Sequence, residues 1–333
     1  MYNALLESLP FPPRISLMGG PTPIQKSRLA WSDDSLYWKR DDLTPYGLGG
    51  NKLRKLEFLM ADALSQRADL IITSGAPQSN HARLTAVAAA MIKLPSVLVI
   101  PGETPTEWGG NLLLDRLAGA EIIACGEEPL DQAVERISSE KKSQGYHPYT
   151  IPLGGSNALG SLGYFLAFFE LLKQAEEQGW TPSTLVCSVG SAGTLAGLVA
   201  ANAFLPQPLR LLGVSVGVWQ SPTQLHSQVE TLAAGVLDLL HAPCPLAPFE
   251  TTADFTGPGY GIPCPASSQI LIECFRTDGI LFDPVYTAKG VAAVKHMLLH
   301  ESRKSPESIV FWHTGGGPAI FDKHYYTDLL RYT

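Results

Sequence analysis

The sequence predicts an α/β fold of two open, twisted, mostly parallel sheets with flanking helices, and three observations lead there. The chain has 333 residues, of which 45% are hydrophobic and 17% charged. That composition is globular, and the length supports one large core or two medium ones. Short β-branched runs alternate with longer helical patterns, a βαβ rhythm that requires parallel strands, and the rhythm runs twice. Glycine and proline cluster at the C-terminal ends of the predicted strands, the edge at which open α/β sheets bind ligands.

The first series places strands at residues 70–73, 96–100, 121–124 and 149–152, with helical stretches between them. A long helical pattern over 162–178 interrupts it. The rhythm then restarts with strands at 184–188, 211–216, 280–283 and 309–313. No internal repeat, low-complexity tract or charged tail breaks this order.

A net charge of −7 excludes nucleic acid and anionic membrane as general partners, because an acidic surface cannot neutralise either. No apolar run reaches the length of about 18 residues that spans a bilayer, and no basic segment followed by an apolar one stands near Met1, so a cytoplasmic protein is expected. The five cysteines (Cys125, Cys187, Cys244, Cys264, Cys274) are odd in number and widely spaced, which argues against a disulfide framework or a zinc site. No metal is expected at His81 either, since no second histidine or carboxylate lies at ligand spacing.

Four segments carry chemistry. In Gly47-Leu-Gly-Gly-Asn-Lys-Leu-Arg-Lys, Lys52 stands behind a glycine turn at the start of a helix, where the backbone can approach a ligand closely. Ser188-Val-Gly-Ser-Ala-Gly-Thr is a strand, a glycine loop and a helix start, whose free N–H groups suit a phosphate; a tight βα turn is the alternative. It lacks both the Walker Gly-Lys-Ser/Thr and the dinucleotide glycine pattern. Ser74-Gly-Ala-Pro-Gln-Ser-Asn-His offers Gln78, Ser79, Asn80 and His81 at one strand end, either as ligand contacts or as a helix cap. Tyr260 and Tyr286 stand in glycine- and proline-rich loops as candidate acid–base groups, substrate walls or packed aromatics. Thr314 precedes three glycines after the last strand. No Gly-x-Ser-x-Gly elbow supports serine-hydrolase chemistry.

These segments, with Gly20-Pro-Thr-Pro, Trp38-Lys-Arg-Asp-Asp-Leu-Thr, Gly110-Asn-Leu-Leu-Leu-Asp-Arg-Leu, Gly154-Gly-Ser-Asn-Ala-Leu-Gly, Asp283-Pro-Val-Tyr and His313-Thr-Gly-Gly, resemble the pyridoxal phosphate (PLP) enzymes that include D-cysteine desulfhydrase and 1-aminocyclopropane-1-carboxylate (ACC) deaminase. The match runs through nearly the whole chain. The resemblance implies fold type II, like the tryptophan synthase β-subunit, with PLP in the interdomain cleft. A large domain of residues 1–47 and 163–333 then carries an inserted smaller domain of residues 48–162, and the protein is a homodimer.

The resemblance also assigns roles. It makes Lys52 the Schiff-base lysine, and Lys55 a phosphate contact together with Gly190, Ser191, Ala192, Gly193 and Thr194. Asn80 becomes the partner of the cofactor's 3′-hydroxyl, and Ser79 a catalytic hydroxyl facing the substrate. Tyr260 and Tyr286 become the flanking catalytic aromatics, and Thr314 the group at the pyridine nitrogen. Ser79, Asn80, His81, Tyr286 and Thr287 make up the implied substrate set.

The implied activity is α,β-elimination from a D-amino acid, foremost D-cysteine to pyruvate, hydrogen sulfide and ammonia. ACC deaminases carry glutamate where this chain has Thr287. ACC ring opening and elimination from another β-substituted substrate such as cysteate are the alternatives, and a non-catalytic PLP or small-ligand binding protein is the alternative of another class. Leu53, Ala76-Pro77 and Pro45-Tyr46 depart from the family pattern beside the site.

Overall fold

The computed structural model describes residues 2–32, 35–217, 221–301 and 307–333. The chain opens with α1 (Tyr2–Ser8), β1 (Ile24–Lys26) and β2 (Leu36–Arg40). It then runs through α2 (Lys52–Ser65), β3 (Leu70–Ser74), α3 (Asn80–Met91), β4 (Ser96–Ile100), α4 (Gly110–Leu117), β5 (Glu121–Ala124), α5 (Leu130–Ser143) and β6 (Pro148–Thr150). The second series is α6 (Ala158–Glu177), β7 (Thr184–Val189), α7 (Gly193–Asn202), β8 (Arg210–Ser215), α8 (Pro222–Leu239) and β9 (Glu250–Thr252). It closes with α9 (Pro265–Asp278), α10 (Thr287–His300), β10 (Ile309–His313) and α11 (Lys323–Leu329).

Two sheets result, a four-stranded one in the order β5-β4-β3-β6 and a six-stranded one in the order β1-β2-β10-β7-β8-β9. Every pairing is parallel except that of β1 with β2. Every residue of β3, β4, β7 and β10 is buried, as expected of strands covered by helices on both faces. Helix α6 packs against α2, α7 and α8. It supplies Phe165, Phe168 and Phe169 to the largest core cluster, while α2 joins the second series' helices through Phe58 in that same cluster.

A buried ionic network fixes the approach to the glycine turn. The Asp41 carboxylate accepts hydrogen bonds from Arg54 (2.9 Å from both Nε and Nη2), Tyr164 (2.5 Å), Trp312 (2.8 Å) and Thr22 (2.8 Å). Arg54 and Lys39 both reach Glu170 on α6, at 2.7 and 2.5 Å. Strands β2 and β10 and helices α2 and α6 thus converge on one set of charges.

Two sequence expectations change. Residues 280–283 form no strand, because β10, against which they pack, already has β2 and β7 on its two edges. They form a connecting segment instead, with Phe282 stacked on His313 at a ring distance of 4.3 Å. Strands β1, β2 and β9 were not anticipated. In β2 the reason is Lys39, a charge that reads as exposed; its ammonium is fully buried and donates to Glu170, to Gln174 (2.7 Å) and to the carbonyl of Thr22 (2.7 Å). Among the described residues no helix is long and apolar enough to cross a membrane.

Candidate active site

A cavity of about 500 Å³ opens between the two sheets at the C-terminal ends of their strands. Its walls come from the turn before α2, the β3–α3 and β7–α7 loops, the segment after β6, the two tyrosine loops and the end of β10.

Lys52 is set there by local geometry. Gly49 has φ +75, and a Cβ on it would stand 1.8 Å from the carbonyl oxygen of Asp42, so only glycine permits the turn. Asn51 then pins the turn on two sides. Its N–H donates to the carbonyl of Thr314 (3.0 Å) and its Nδ2 to Oγ1 of Thr194 (3.0 Å), which leaves Oδ1 to accept from Lys52 Nζ at 3.0 Å. Burial, reinforced by the charge of Arg83, brings the Lys52 ammonium down to about 8. A substantial share of its amine is therefore neutral near that pH.

The loop Gly190, Ser191, Ala192, Gly193 and Thr194 starts α7 with Ala192 in a positive-φ conformation (φ 65) and no side-chain cap. Gly154 approaches it so closely that a Cβ at this position would lie 1.9 Å from Ser191 Oγ. Ser156 joins the two segments, bonding Ser191 Oγ at 2.8 Å. Behind them Lys55 is buried, donating to the Gly154 carbonyl and to Ser156 Oγ, both at 3.1 Å. Among the described residues no carboxylate pairs with it. Burial pushes its ammonium well below the ordinary lysine range, and the nearby Lys52 pushes the same way. A buried amine with no carboxylate partner, facing a helix start whose N-cap residue offers no side-chain oxygen, fits an anionic group such as the phosphate of PLP.

Ser79 caps α3, accepting from the N–H of Ala82 at 3.2 Å, so its own proton remains available to the cavity. Asn80 Oδ1 accepts from Asn111 Nδ2 at 3.2 Å, and the same Nδ2 donates to the Gln78 carbonyl at 2.9 Å. Asn80 therefore presents N–H donors to the cavity rather than an acceptor. His81 has its state fixed by Thr73. The threonine proton goes to the carbonyl of Ile151 (2.8 Å), so His81 Nε2 donates to Thr73 Oγ1 (2.8 Å). Burial holds this ring neutral, with Lys52 and Lys55 pushing the same way.

Tyr260 and Tyr286 share a short hydroxyl–hydroxyl hydrogen bond, their rings at 75° and 5.6 Å. Burial raises Tyr260 to about 12 and Tyr286 well above the usual phenol value. Both are neutral phenols at neutral pH. Thr314 lines the cavity at the end of β10.

The structure thus brings Lys52, Ser79, Asn80, His81, Gly190, Ser191, Ala192, Thr194, Tyr260, Tyr286 and Thr314 onto one cavity, with Lys55 and Gly193 directly behind the loop. Thr287 is the correction. It is fully buried at the start of α10, its hydroxyl donating to Asp283 at 2.6 Å, and it does not line the cavity. Ser156, Ser188 and Gln228 line it and were not singled out from sequence. Ser156 had a signal in the glycine-rich run after β6. Gln228 had none, being one polar residue on the helical face of α8.

A family model described as "Pyridoxal-phosphate dependent enzyme" matches residues 15–315. A D-cysteine desulfhydrase of Yersinia enterocolitica is 40% identical over 324 residues, covering 94% of this chain and 96% of the relative. One of Salmonella typhi is 39% identical over 321 residues with the same coverage. Among solved structures, an ACC deaminase homologue superposes with a TM-score of 0.88 at 35% identity, covering 99% of this chain and 98% of that one. Threonine deaminase isoform 2 from Solanum lycopersicum, 16% identical with a TM-score of 0.67 over 99% of this chain and 88% of its own, shares the fold. With a matched span from residue 15 to residue 315 and relatives aligned over almost their full length, the chain belongs to the family of pyridoxal-phosphate dependent enzymes.

Proposed function

We propose that this enzyme eliminates sulfide from D-cysteine, giving pyruvate, hydrogen sulfide and ammonia with one water consumed. The observation that carries the reading is Lys52, an amine brought down to about 8 on the wall of a cavity rich in hydrogen-bond donors. The near-full-length likeness to proteins named D-cysteine desulfhydrase supports the choice of substrate.

When bound, PLP supplies the electron sink for charge developing at the substrate Cα. The rest of the reading concerns this chain's own groups. Lys55 and the 190–194 loop would hold the cofactor's phosphate. Asn80, through its amide N–H groups, and Thr314, through a neutral hydroxyl, would be the groups that hold the cofactor's ring. Lys52 Nζ would hold the cofactor and would take the Cα proton, acting as a base close to its working pH. Ser79 offers its free O–H to the substrate, and the protonated pair Tyr260 and Tyr286 gives the leaving sulfur a proton. His81, neutral and tied to Thr73, shapes the wall beside the substrate.

Two domains (1–47 with 163–333, and 48–162), a homodimer and a cytoplasmic location complete the reading. Light scattering checks the dimer. The high structural likeness to an ACC deaminase homologue favours ACC ring opening as the second reading, while the sequestered Thr287 gives no carboxylate at the position where those deaminases have one.

The test is keto-acid formation from D-cysteine, L-cysteine, ACC and β-chloro-D-alanine, with Lys52→Ala as control. D-cysteine is expected to be the best substrate and the variant inactive. Turnover of ACC alone transfers the assignment to the deaminases, and a bound chromophore with no turnover makes the protein a carrier.

A further inference from the structure

Residues 47 to 50 have four successive positive φ values: Gly47 (58), Leu48 (61), Gly49 (75) and Gly50 (135). Such a run, with a leucine in the left-handed region, persists only when its surroundings hold it. The hold comes from α3, one turn beyond Asn80. Arg83 is fully buried, and its Nη1 donates to the Gly47 carbonyl at 2.6 Å while Nη2 donates to the Gly49 carbonyl at 2.8 Å. The planar fork of a guanidinium spans two carbonyls at once.

Among the described residues no carboxylate forms an ion pair with Arg83. Asp115 on α4 acts on it only at longer range. Arg83 Nε, Asp115 Oδ1 and Asn111 Oδ1 are the buried side-chain atoms without a hydrogen-bond partner among the described residues. All three belong to the facing helices α3 and α4.

We propose that Arg83 is a positioning residue of the elimination, fixing through the 47–50 turn where Lys52 stands. The inference rests on the reading of Lys52 as the base. The charged and titratable groups around the turn are Lys55 on α2, His81 on α3, Asp115 on α4, Asp41 and Asp42 ahead of it, and the two tyrosines across the cavity. His81 is neutral, the tyrosines are protonated, and Asp41 is committed to Arg54. Asp42 is paired with Arg40 at 2.7 Å. Lys55 and Lys52 repel one another along α2, and the charge of Arg83 lowers Lys52 second only to burial.

The experiment uses the full chain and the variants Arg83→Met and Arg83→Lys. Lys52 is titrated by competitive acetylation, read by peptide mass, before PLP is added. Turnover of D-cysteine is then measured on the loaded enzyme. In Arg83→Met, Lys52 titrates higher and its labelling at pH 7.5 falls about threefold or more. In Arg83→Lys the charge remains but one ammonium cannot span both carbonyls. Lys52 labelling then stays within about twofold of wild type while kcat falls about tenfold at nearly constant KM.

Unchanged labelling in Arg83→Met, or unchanged kcat in Arg83→Lys, overturns the inference. If circular dichroism shows Arg83→Met unfolded, Arg83→Lys decides alone. A wild-type protein that fails to turn over D-cysteine sinks the substrate reading and leaves the labelling result standing.

Discussion

Replacing Asp41 by asparagine tests whether the ionic network holds the site together. The side chain is fully buried and accepts five hydrogen bonds, two of them from Arg54. Burial alone would raise its pKa, yet the guanidinium of Arg54 overrides it and holds the carboxyl at about 2 instead of 3.8. A carboxylate lowered in this way stabilises the fold fully above pH 3.8, and the contribution is lost as pH falls through about 2. That difference is worth about 2.5 kcal/mol at pH 7. Removing one partner of a buried ion pair costs about 3–5 kcal/mol, because the other charge is left uncompensated. Asparagine keeps the volume but turns N–H groups toward the donors of Arg54, Tyr164 and Trp312. The expected loss is therefore about 3 kcal/mol at pH 7, narrowing between pH 4 and pH 2 as the wild type gives up the same contribution. Urea unfolding followed by tryptophan fluorescence reads it. A loss below about 1 kcal/mol at pH 7, or one that does not change with pH, refutes the reasoning.

Three further outcomes are expected. Gly154→Ala drives a methyl into Ser191 Oγ at a φ of +69, so PLP affinity, measured by absorbance titration, falls about tenfold or more while the fold survives; unchanged affinity removes this contact from the phosphate site. Burial raises Asp115 from 3.8 to about 7, against the lowering effect of Arg83. Its favourable contribution is present below pH 3.8 and lost as pH rises through about 7, so the stability of Asp115→Asn relative to wild type should grow by about 4 kcal/mol between pH 4 and pH 8. A constant gap contradicts this. Thr287→Val breaks the bond to Asp283 and should cost about 1–2 kcal/mol in thermal unfolding with KM for D-cysteine unchanged; a raised KM at unchanged stability returns Thr287 to the substrate site.

The parts of the site that were legible in the sequence are those where backbone geometry and chemistry demand the same residues. Gly49 and the loop beginning at Gly190 carry glycine because neighbours approach within contact distance, and Ser79 and Asn80 sit at a helix start because their side chains cap or face a ligand. What stayed hidden depends on partners distant in the chain. β2 was masked by Lys39, whose ammonium is made internal by Glu170, 131 residues away. The 280–283 run has strand composition, but whether it pairs is decided by β2 and β7 having taken both edges of β10. Thr287 follows a motif tyrosine and points into Asp283 because α10 begins there, a helix boundary that no local pattern announced.

The placement of β10 has a consequence for how the enzyme is made. The last strand in chain order fills the middle of the larger sheet, between β2 and β7, and Thr314 just beyond it receives the N–H of Asn51. A nascent chain still on the ribosome thus has β2 and β7 without their shared neighbour, and the turn beside Lys52 without its anchor. The four-stranded sheet, contiguous from β3 to β6, can assemble during synthesis. The turn beside Lys52 gains its anchor only when residue 314 is in place, so β10 ties the lysine to the middle of the larger sheet.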